Sequence, residues 1–179
     1  MQARQSANHN HAMMPAIWNR LNCVRSFTTV VHETEPTDGV TRRVVGHAQP
    51  SLEDDGQTLR VAENGWLYLP GSTRTLATSN VYCWRVEAGQ LALSYDRAQI
   101  GRSARLVVFE PASAVGLQSA SPHCCGADRY YAHVTLTGED IELRWHVVGT
   151  AKNYIMITRY RPHTLQGQAT VSSVSATDQ

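Results

Sequence analysis

The sequence predicts an all-β fold, a single antiparallel up-and-down β-barrel with a short helix before the first strand. One observation is strict alternation: in 141–148, IELRWHVV, one strand face carries the apolar residues Ile141, Leu143, Trp145 and Val147. Such a period of two is typical of half-buried strands. A second observation is that glycine-containing turns recur at short intervals, which favours many short strands over long helices. With 179 residues, the chain is long enough for one domain with its own core.

The candidate strands are short runs rich in β-branched and aromatic residues. In chain order they cover 23–32, 41–48, 58–69, 79–87, 90–95, 104–110, 128–137, 141–148 and 151–161. Because turn residues separate neighbouring runs, consecutive strands are expected to pair as hairpins. A short helix is expected around 14–22, where it would close one end of the barrel.

The chain is expected to hold one domain between two tails. Residues 1–15 are predicted to be a disordered tail or part of a leader, 16–163 the barrel, and 164–179 a disordered tail rich in Ser, Thr, Gln and Ala. No secretory signal is evident, so a cytoplasmic location is expected. A mitochondrial location is the alternative, because no acidic residue precedes Glu33 while arginines are present, a composition typical of transit peptides.

Composition argues against several classes of partner. The net charge is +1 and the basic residues are spread along the chain, so no nucleic-acid partner is predicted. No apolar run approaches the roughly 18 residues of a membrane helix, so no membrane partner is predicted. The four cysteines match no zinc-binding spacing, and free thiols are expected. The sequence predicts no cofactor and no metal, and it leaves the oligomeric state open.

Residues 121–131, SPHCCGADRYY, admit three interpretations. His123, Cys125 and Asp128 are of metal-ligand type, but no second pair of ligands completes a zinc site. Cys125 and His123 are also the residue types of a nucleophilic pair, although nothing nearby orients them. We favour a turn that leads into a strand. Gly126 permits the turn, Asp128 orders it, and Cys125 is expected to be a small buried hydrophobe.

Polar residues that share strand faces with apolar neighbours are predicted to point into the barrel. The candidate set is Glu63, Arg85, His123, Asp128, Tyr130, Lys152 and Tyr154. A buried charge must be paired or neutralised. One hypothesis is a polar lumen that binds a small polar or anionic molecule. The alternative is a set of structural ion pairs that closes one end of the barrel.

The opposite face of the 58–69 strand supports a different hypothesis. Trp66 and Tyr68 alternate with Glu63, so they are expected on the outer surface if Glu63 points inward. An exposed aromatic patch favours docking of a partner. A structural or interaction subunit is therefore the non-enzymatic alternative to a ligand-binding module.

The C-terminal half carries motifs that resemble a known family. HCCGADRY at 123–130 fits His-x-Cys-x-x-Asp-x-Tyr, and WHVVGTAKNYIM at 145–156 fits Trp-x-Val-x-Gly-x-x-Lys-x-Tyr-x-Met. Upstream, AENGWL at 62–67 and VYCWR at 81–85 resemble a Glu-Gly-Leu strand and a Tyr-x-Trp strand. Over roughly 17–162 the chain resembles the family catalogued as domain of unknown function 6314.

The resemblance implies a barrel of about eight strands, similar in plan to a lipocalin or calycin, with a binding cavity by analogy. Barrels of this plan also host isomerase or lyase chemistry, which makes an enzyme a further alternative. Asp128 or His123 would then be the acid or base, and Tyr130 or Lys152 would stabilise developing charge. The resemblance implies no specific activity, and no residue is assigned a catalytic role.

Overall fold

The computed structural model describes residues 13–34, 39–97, 102–113, 115–150 and 152–162. A helix, α1, covers residues 13–21, in agreement with the helix expected around 14–22. It includes 13–15, which were predicted to belong to the tail; the other residues of the two predicted tails lie outside the described residues.

Strands make up most of the described chain. They are β1 (Val24–Glu33), β2 (Gly39–Leu52), β3 (Thr58–Tyr68), β4 (Thr75–Glu87), β5 (Gln90–Arg97), β6 (Arg102–Ser113), β7 (Gly116–Ser119), β8 (His123–Cys125), β9 (Asp128–Thr137), β10 (Asp140–Val148) and β11 (Asn153–Pro162). All nine predicted strands are present. The short strands β7 and β8 were not predicted.

The described strands form one closed antiparallel barrel. Hydrogen-bonded neighbours follow the order β10-β11-β1-β2-β3-β4-β5-β6-β7-β9, and the β9–β10 pair closes a ring of ten strands. The predicted up-and-down barrel is therefore confirmed, with ten strands instead of about eight. The short β8 also pairs with β9, beside the end of β9 that β7 does not reach, so β7 and β8 act as one interrupted strand.

One end of the barrel is filled by apolar side chains and covered by α1. Ile17 and Leu21 of the helix are fully buried and belong to the same core cluster as the barrel interior. The Arg20 guanidinium donates a hydrogen bond to the carbonyl of Gly138, in the turn between β9 and β10. Below the helix, Trp84 stacks on Phe109 with ring centroids 5.8 Å apart. The helix therefore closes this end, and any lumen opens at the other.

Within the described residues, no helix combines the length and hydropathy that a membrane-spanning helix needs. Cys23, Cys83, Cys124 and Cys125 are free thiols, as expected.

Candidate functional site

Two adjoining pockets occupy the lumen toward the end opposite α1. The first has a volume of about 280 Å³, and its lining includes Thr29, Glu63, Asn80, Tyr82, Tyr154, Met156 and Thr158. The second has a volume of about 250 Å³, and its lining includes Tyr82, Tyr95, His123, Tyr130, Trp145 and Met156. Tyr82 and Met156 line both pockets, so these two side chains divide one lumen into two halves.

Glu63 is the buried acidic group of this lumen, with an exposed fraction of 3%. Its Oε1 accepts a hydrogen bond from the Tyr160 hydroxyl, and its Oε2 accepts one from Asn80 Nδ2 at 3.5 Å. Asn80 Oδ1 in turn accepts a hydrogen bond from the Tyr95 hydroxyl at 3.1 Å. These contacts form one polar chain that crosses from β11 through β3 and β4 to β5.

Burial raises the pKa of Glu63 to about 7, and the hydrogen bonds from Tyr160 and Asn80 only partly oppose that rise. No lysine or arginine among the described residues contributes to the shift. A carboxyl group with this pKa exists in both protonation states near neutral pH. It can therefore accept or donate a hydrogen bond, or a proton, inside the lumen.

Strand alternation and register explain how Glu63 reaches this position. Leu59, Val61 and Glu63 alternate along β3 and are all buried, which confirms the predicted inward face. Ala48 on β2 and Asn80 on β4 are the direct cross-strand partners of Glu63. The small Ala48 leaves room beside the carboxyl group, while Asn80 supplies a donor at the same level.

A second polar pair lies in the wall of the first pocket. The hydroxyl groups of Thr29 on β1 and Thr158 on β11 are 2.8 Å apart and both residues are buried. They are direct partners in the ladder between these strands. Burial also raises the pKa of Tyr82, and the nearby Glu63 adds to the effect. The first pocket therefore joins hydroxyl groups, an amide and a carboxyl group on walls that are otherwise apolar.

The rim of the open end carries an ion pair. Lys152 Nζ lies 2.7 Å from Asp128 Oδ2 and donates a hydrogen bond to the Tyr130 hydroxyl at 3.4 Å. The contact with Asp128 raises the pKa of the exposed Lys152. A Cβ atom on Gly149 would overlap the Asp128 carboxyl group, so any side chain at this position would displace Asp128. Gly149 thus leaves the space that the Asp128 side chain occupies beside Lys152.

The segment SPHCCGADRYY forms a β-hairpin, as predicted for a turn that leads into a strand. Gly126 has a φ of 62°, and Cys125 pairs with Asp128 across the turn. His123 pairs with Tyr130, and their rings meet edge to face at 5.9 Å on the wall of the second pocket. Cys125 is exposed, so the prediction that it is a small buried hydrophobe was wrong. The hairpin lies at the rim, where Cys125 lines the second pocket and stays open to solvent.

The predicted lumen position of Arg85 was also wrong. Its side chain is 52% exposed and lies 3.8 Å from Glu87 and 3.9 Å from Asp55 on the outer surface. Tyr82 and Trp84 occupy the inner face of β4 instead, and Trp84 is fully buried. The sequence predicted alternation along β4 but assigned the wrong face to the interior. In the structure the large aromatic rings occupy the inner face, so Arg85 lies on the outer face.

The region that builds this site also matches a protein-family model. The match covers residues 25–162, which is more than half of the chain, and the model is described as a family of unknown function, DUF6314. The chain belongs to DUF6314. No curated protein and no solved structure matched the chain. The DUF6314 region spans the strands from β1 to β11 and therefore includes both pockets and the rim ion pair.

The DUF6314 barrel brings together most of the predicted candidate residues, at two levels. Glu63 lies deep in the lumen, and Tyr154 lines the same pocket nearer the rim. Tyr130 and His123 line the second pocket. Asp128 and Lys152 form the rim pair. Of the seven candidates, Arg85 is the one that the structure places on the outer surface.

The partners of Glu63 in the DUF6314 barrel were not predicted as site residues. Asn80 faces Glu63 only because β3 and β4 pair in one particular register. Tyr160 alternates in phase with Lys152 and Tyr154, which were predicted to point inward, but nothing in the sequence links it to Glu63. Within the described residues, no group of three or more His, Cys, Asp or Glu side chains is arranged to hold a metal ion.

The outer surface of the DUF6314 barrel exposes the aromatic pair considered for partner docking. Trp66 is 53% exposed and Tyr68 is 46% exposed. Both line an open groove of about 690 Å³ that crosses β2, β3 and β4. Their location agrees with the expected outer face, and docking of a partner remains a prediction.

Proposed function

We propose that this DUF6314 protein is a small-molecule-binding module that holds one ligand in the barrel lumen. The observation that carries the proposal is the carboxyl group of Glu63, which is 3% exposed on the wall of a pocket and has no cationic partner among the described residues. Burying such a group costs free energy unless its bonding is completed. A carboxyl group kept at a cavity wall despite that cost favours a role in binding or catalysis.

The remaining walls suit a small organic ligand. Pockets for such ligands are mostly apolar and aromatic, with a few polar groups that fix orientation. Tyr82, Met156 and Trp145 supply apolar surface, and Asn80 and Glu63 supply polar contacts. Trp145 is 4% exposed, and its indole N–H has no protein acceptor. Buried donors are usually paired, so this unpaired N–H is a further unsatisfied polar group in a residue that lines the lumen.

The structure changes which ligand class is favoured. Arg85, a cation expected inside, lies on the outer surface, and Lys152 is already paired with Asp128 at the rim. The polar character predicted for the ligand keeps its support from Glu63 and Asn80. The expectation of an anionic ligand was based partly on Arg85, and it no longer has that support.

Native mass spectrometry of the full chain tests the proposal, first as purified and then with a library of small polar aromatic compounds. Met156→Trp fills the boundary between the two pockets, and Ile155→Trp is the matched control on the opposite face of β11. Compounds bound by the wild-type protein and by Ile155→Trp should be lost from Met156→Trp. Equal binding to Met156→Trp would place the ligand outside the lumen, and an absence of any bound compound would contradict a binding module.

Acid–base catalysis in the same lumen is a second candidate function. Its support is that Glu63, with a pKa raised to about 7 by burial, is hydrogen-bonded to Tyr160 beside a pocket. A general acid or base works best with a pKa near the operating pH. Glu63 would then take the role that was considered for Asp128 or His123. An enzyme of this kind would convert a bound ligand, and Glu63→Gln would bind that ligand without converting it.

A further inference from the structure

We infer that the lumen selects an organic cation, an amine or ammonium that carries an apolar group, with the positive charge held by Glu63 and the surrounding aromatic rings. The inference rests on the proposed function, since it names the ligand class of the same lumen. The sequence suggested a small polar or anionic molecule, and the inference replaces the anionic alternative with a cation.

The first argument is the charge of the pocket. Among the described residues that line the first pocket, Glu63 is the acidic one and Arg42 the basic one, and Arg42 is exposed. Lys152 lies at the rim and is neutralised by Asp128 at 2.7 Å. A ligand cation would therefore meet a counter-charge deep in the lumen. An anion placed there would be buried next to a carboxyl group without a positive partner, which costs free energy.

The second argument is the bonding capacity of Glu63. Its Oε1 accepts the Tyr160 hydroxyl, whereas its Oε2 has only the Asn80 contact at 3.5 Å, the long limit for a hydrogen bond. A carboxylate oxygen can accept two hydrogen bonds. Oε2 therefore keeps room for an N–H donor, and a charged donor makes the stronger bond.

The third argument is the aromatic wall. Phe27, Tyr82 and Tyr154 line the same pocket as Glu63, and Tyr95 lies edge to face against Tyr82 with ring centroids 5.7 Å apart. The face of an aromatic ring attracts a cation, and the attraction grows when the cation is shielded from water. The pocket therefore combines a carboxyl group with aromatic rings in its lining, the two kinds of group that bind ammonium ions.

Protonation of Glu63 should couple to this binding. Two titratable groups lie against Glu63: Tyr160 from β11 and Tyr82 from β4. Tyr154 from β11 and Arg42 from β2 line the same pocket, with Arg42 at its mouth. Tyr95 is connected to Glu63 by hydrogen bonds through Asn80. Burial raises the pKa of Tyr82, Tyr154 and Tyr160. Glu63 is thus the group of this set with a pKa near 7, and a bound cation should favour its ionised form.

Three probes that share one skeleton test the inference: 3-phenylpropylamine, 3-phenyl-1-propanol and 3-phenylpropionate. Isothermal titration calorimetry of the full chain at pH 6, 7 and 8 measures each affinity, and buffers of different ionisation enthalpy reveal proton release. We expect the amine to bind about tenfold more tightly than the alcohol at pH 8, as for a desolvated charge pair. We also expect its affinity to rise with pH and proton release at pH 6.

Two variants locate the effect. Glu63→Gln should remove the proton release and the preference for the amine, so that the amine and the alcohol bind this variant with similar affinity. Glu53→Gln, at a surface carboxyl group whose side chain is 43% exposed, is the matched control and should behave as the wild-type protein does.

Each other outcome overturns a defined claim. If the alcohol or the propionate binds the wild-type protein as tightly as the amine, the cation inference fails while the proposed function stands. If the amine binds Glu63→Gln as well as wild type, the charge is held elsewhere and the inference fails. If none of the three probes binds, the inference fails, and failure of the compound library as well would contradict the proposed function.

Discussion

Glu63 and Tyr160 are separated by 97 positions in the sequence, yet the Tyr160 hydroxyl donates a hydrogen bond to the carboxyl group of Glu63 inside the barrel. Tyr160 is fully buried and Glu63 is 3% exposed. β1 and β2 lie between β11 and β3 in the sheet, so the contact passes through the barrel interior and not between neighbouring strands. It therefore links β11, the last strand of the domain, to β3, and it buries an ionisable group whose protonation affects the stability of the fold.

The pH dependence of stability should report on Glu63. Because the pKa of this carboxyl group is about 7 in the folded protein and 4.5 in the unfolded chain, its contribution to stability is complete below pH 4.5 and is lost as the pH rises through 7. The loss should be about 3 kcal/mol in the free energy of unfolding. Urea unfolding at pH 4.5, 6 and 8 measures it. Glu63→Gln should flatten this dependence and Glu53→Gln should not; an unchanged slope in Glu63→Gln would contradict the assignment.

Tyr160→Phe should separate the hydroxyl from the ring. Removing a hydrogen bond to a buried carboxylate costs about 2 kcal/mol at pH 8, where Glu63 is ionised. Since the Tyr160 hydroxyl lowers the pKa of Glu63, its removal should raise that pKa further above the ordinary range. Titration of the Glu63 side-chain carbon by NMR measures the change. Tyr131→Phe alters an exposed tyrosine on β9 and serves as control, and a fall in the pKa of Glu63 in Tyr160→Phe would refute the argument.

Gly149→Ala should lower the stability of the protein more than removal of the Asp128–Lys152 ion pair does. The added Cβ atom would overlap Asp128 Oδ1 and force that side chain out of its position beside Lys152. We expect a loss of roughly 1–3 kcal/mol from such strain. Lys152→Met removes the exposed charge without a clash, and exposed ion pairs contribute at most about 1 kcal/mol. Thermal unfolding of both variants compares the two effects, and similar values would show that the glycine position tolerates a side chain.

Ile17→Ala tests whether α1 closes the barrel. Ile17 is fully buried in the main core cluster, so truncation should leave a cavity and cost about 2–5 kcal/mol. Asn19→Ala changes an exposed position of the same helix and should alter stability by less than about 0.5 kcal/mol. Urea unfolding monitored by tryptophan fluorescence measures both. Equal stability of the two variants would mean that the helix is not part of the core.

Local pattern was sufficient for most of the fold. Alternation over 141–148 and 128–137 indicated both the strands and their inner faces, because a buried face must be apolar at every second position. The strands β7 and β8 escaped prediction because they have only four and three residues, too few for an alternation to be recognised. Because β7 was not predicted, the nine predicted strands are one fewer than the ten that close the barrel.

The sequence by itself determined the class of fold, the family resemblance and the inward position of Glu63. Only the tertiary structure decided which face of β4 is inside, since alternation defines two faces and does not choose between them. Trp84 stacks on Phe109 in the core, which places this face of β4 inside and Arg85 on the outer surface. The meeting of Glu63 with Asn80 and Tyr160 was likewise decided by register and closure. Contacts between distant strands depend on how the whole sheet closes, which no local pattern contains.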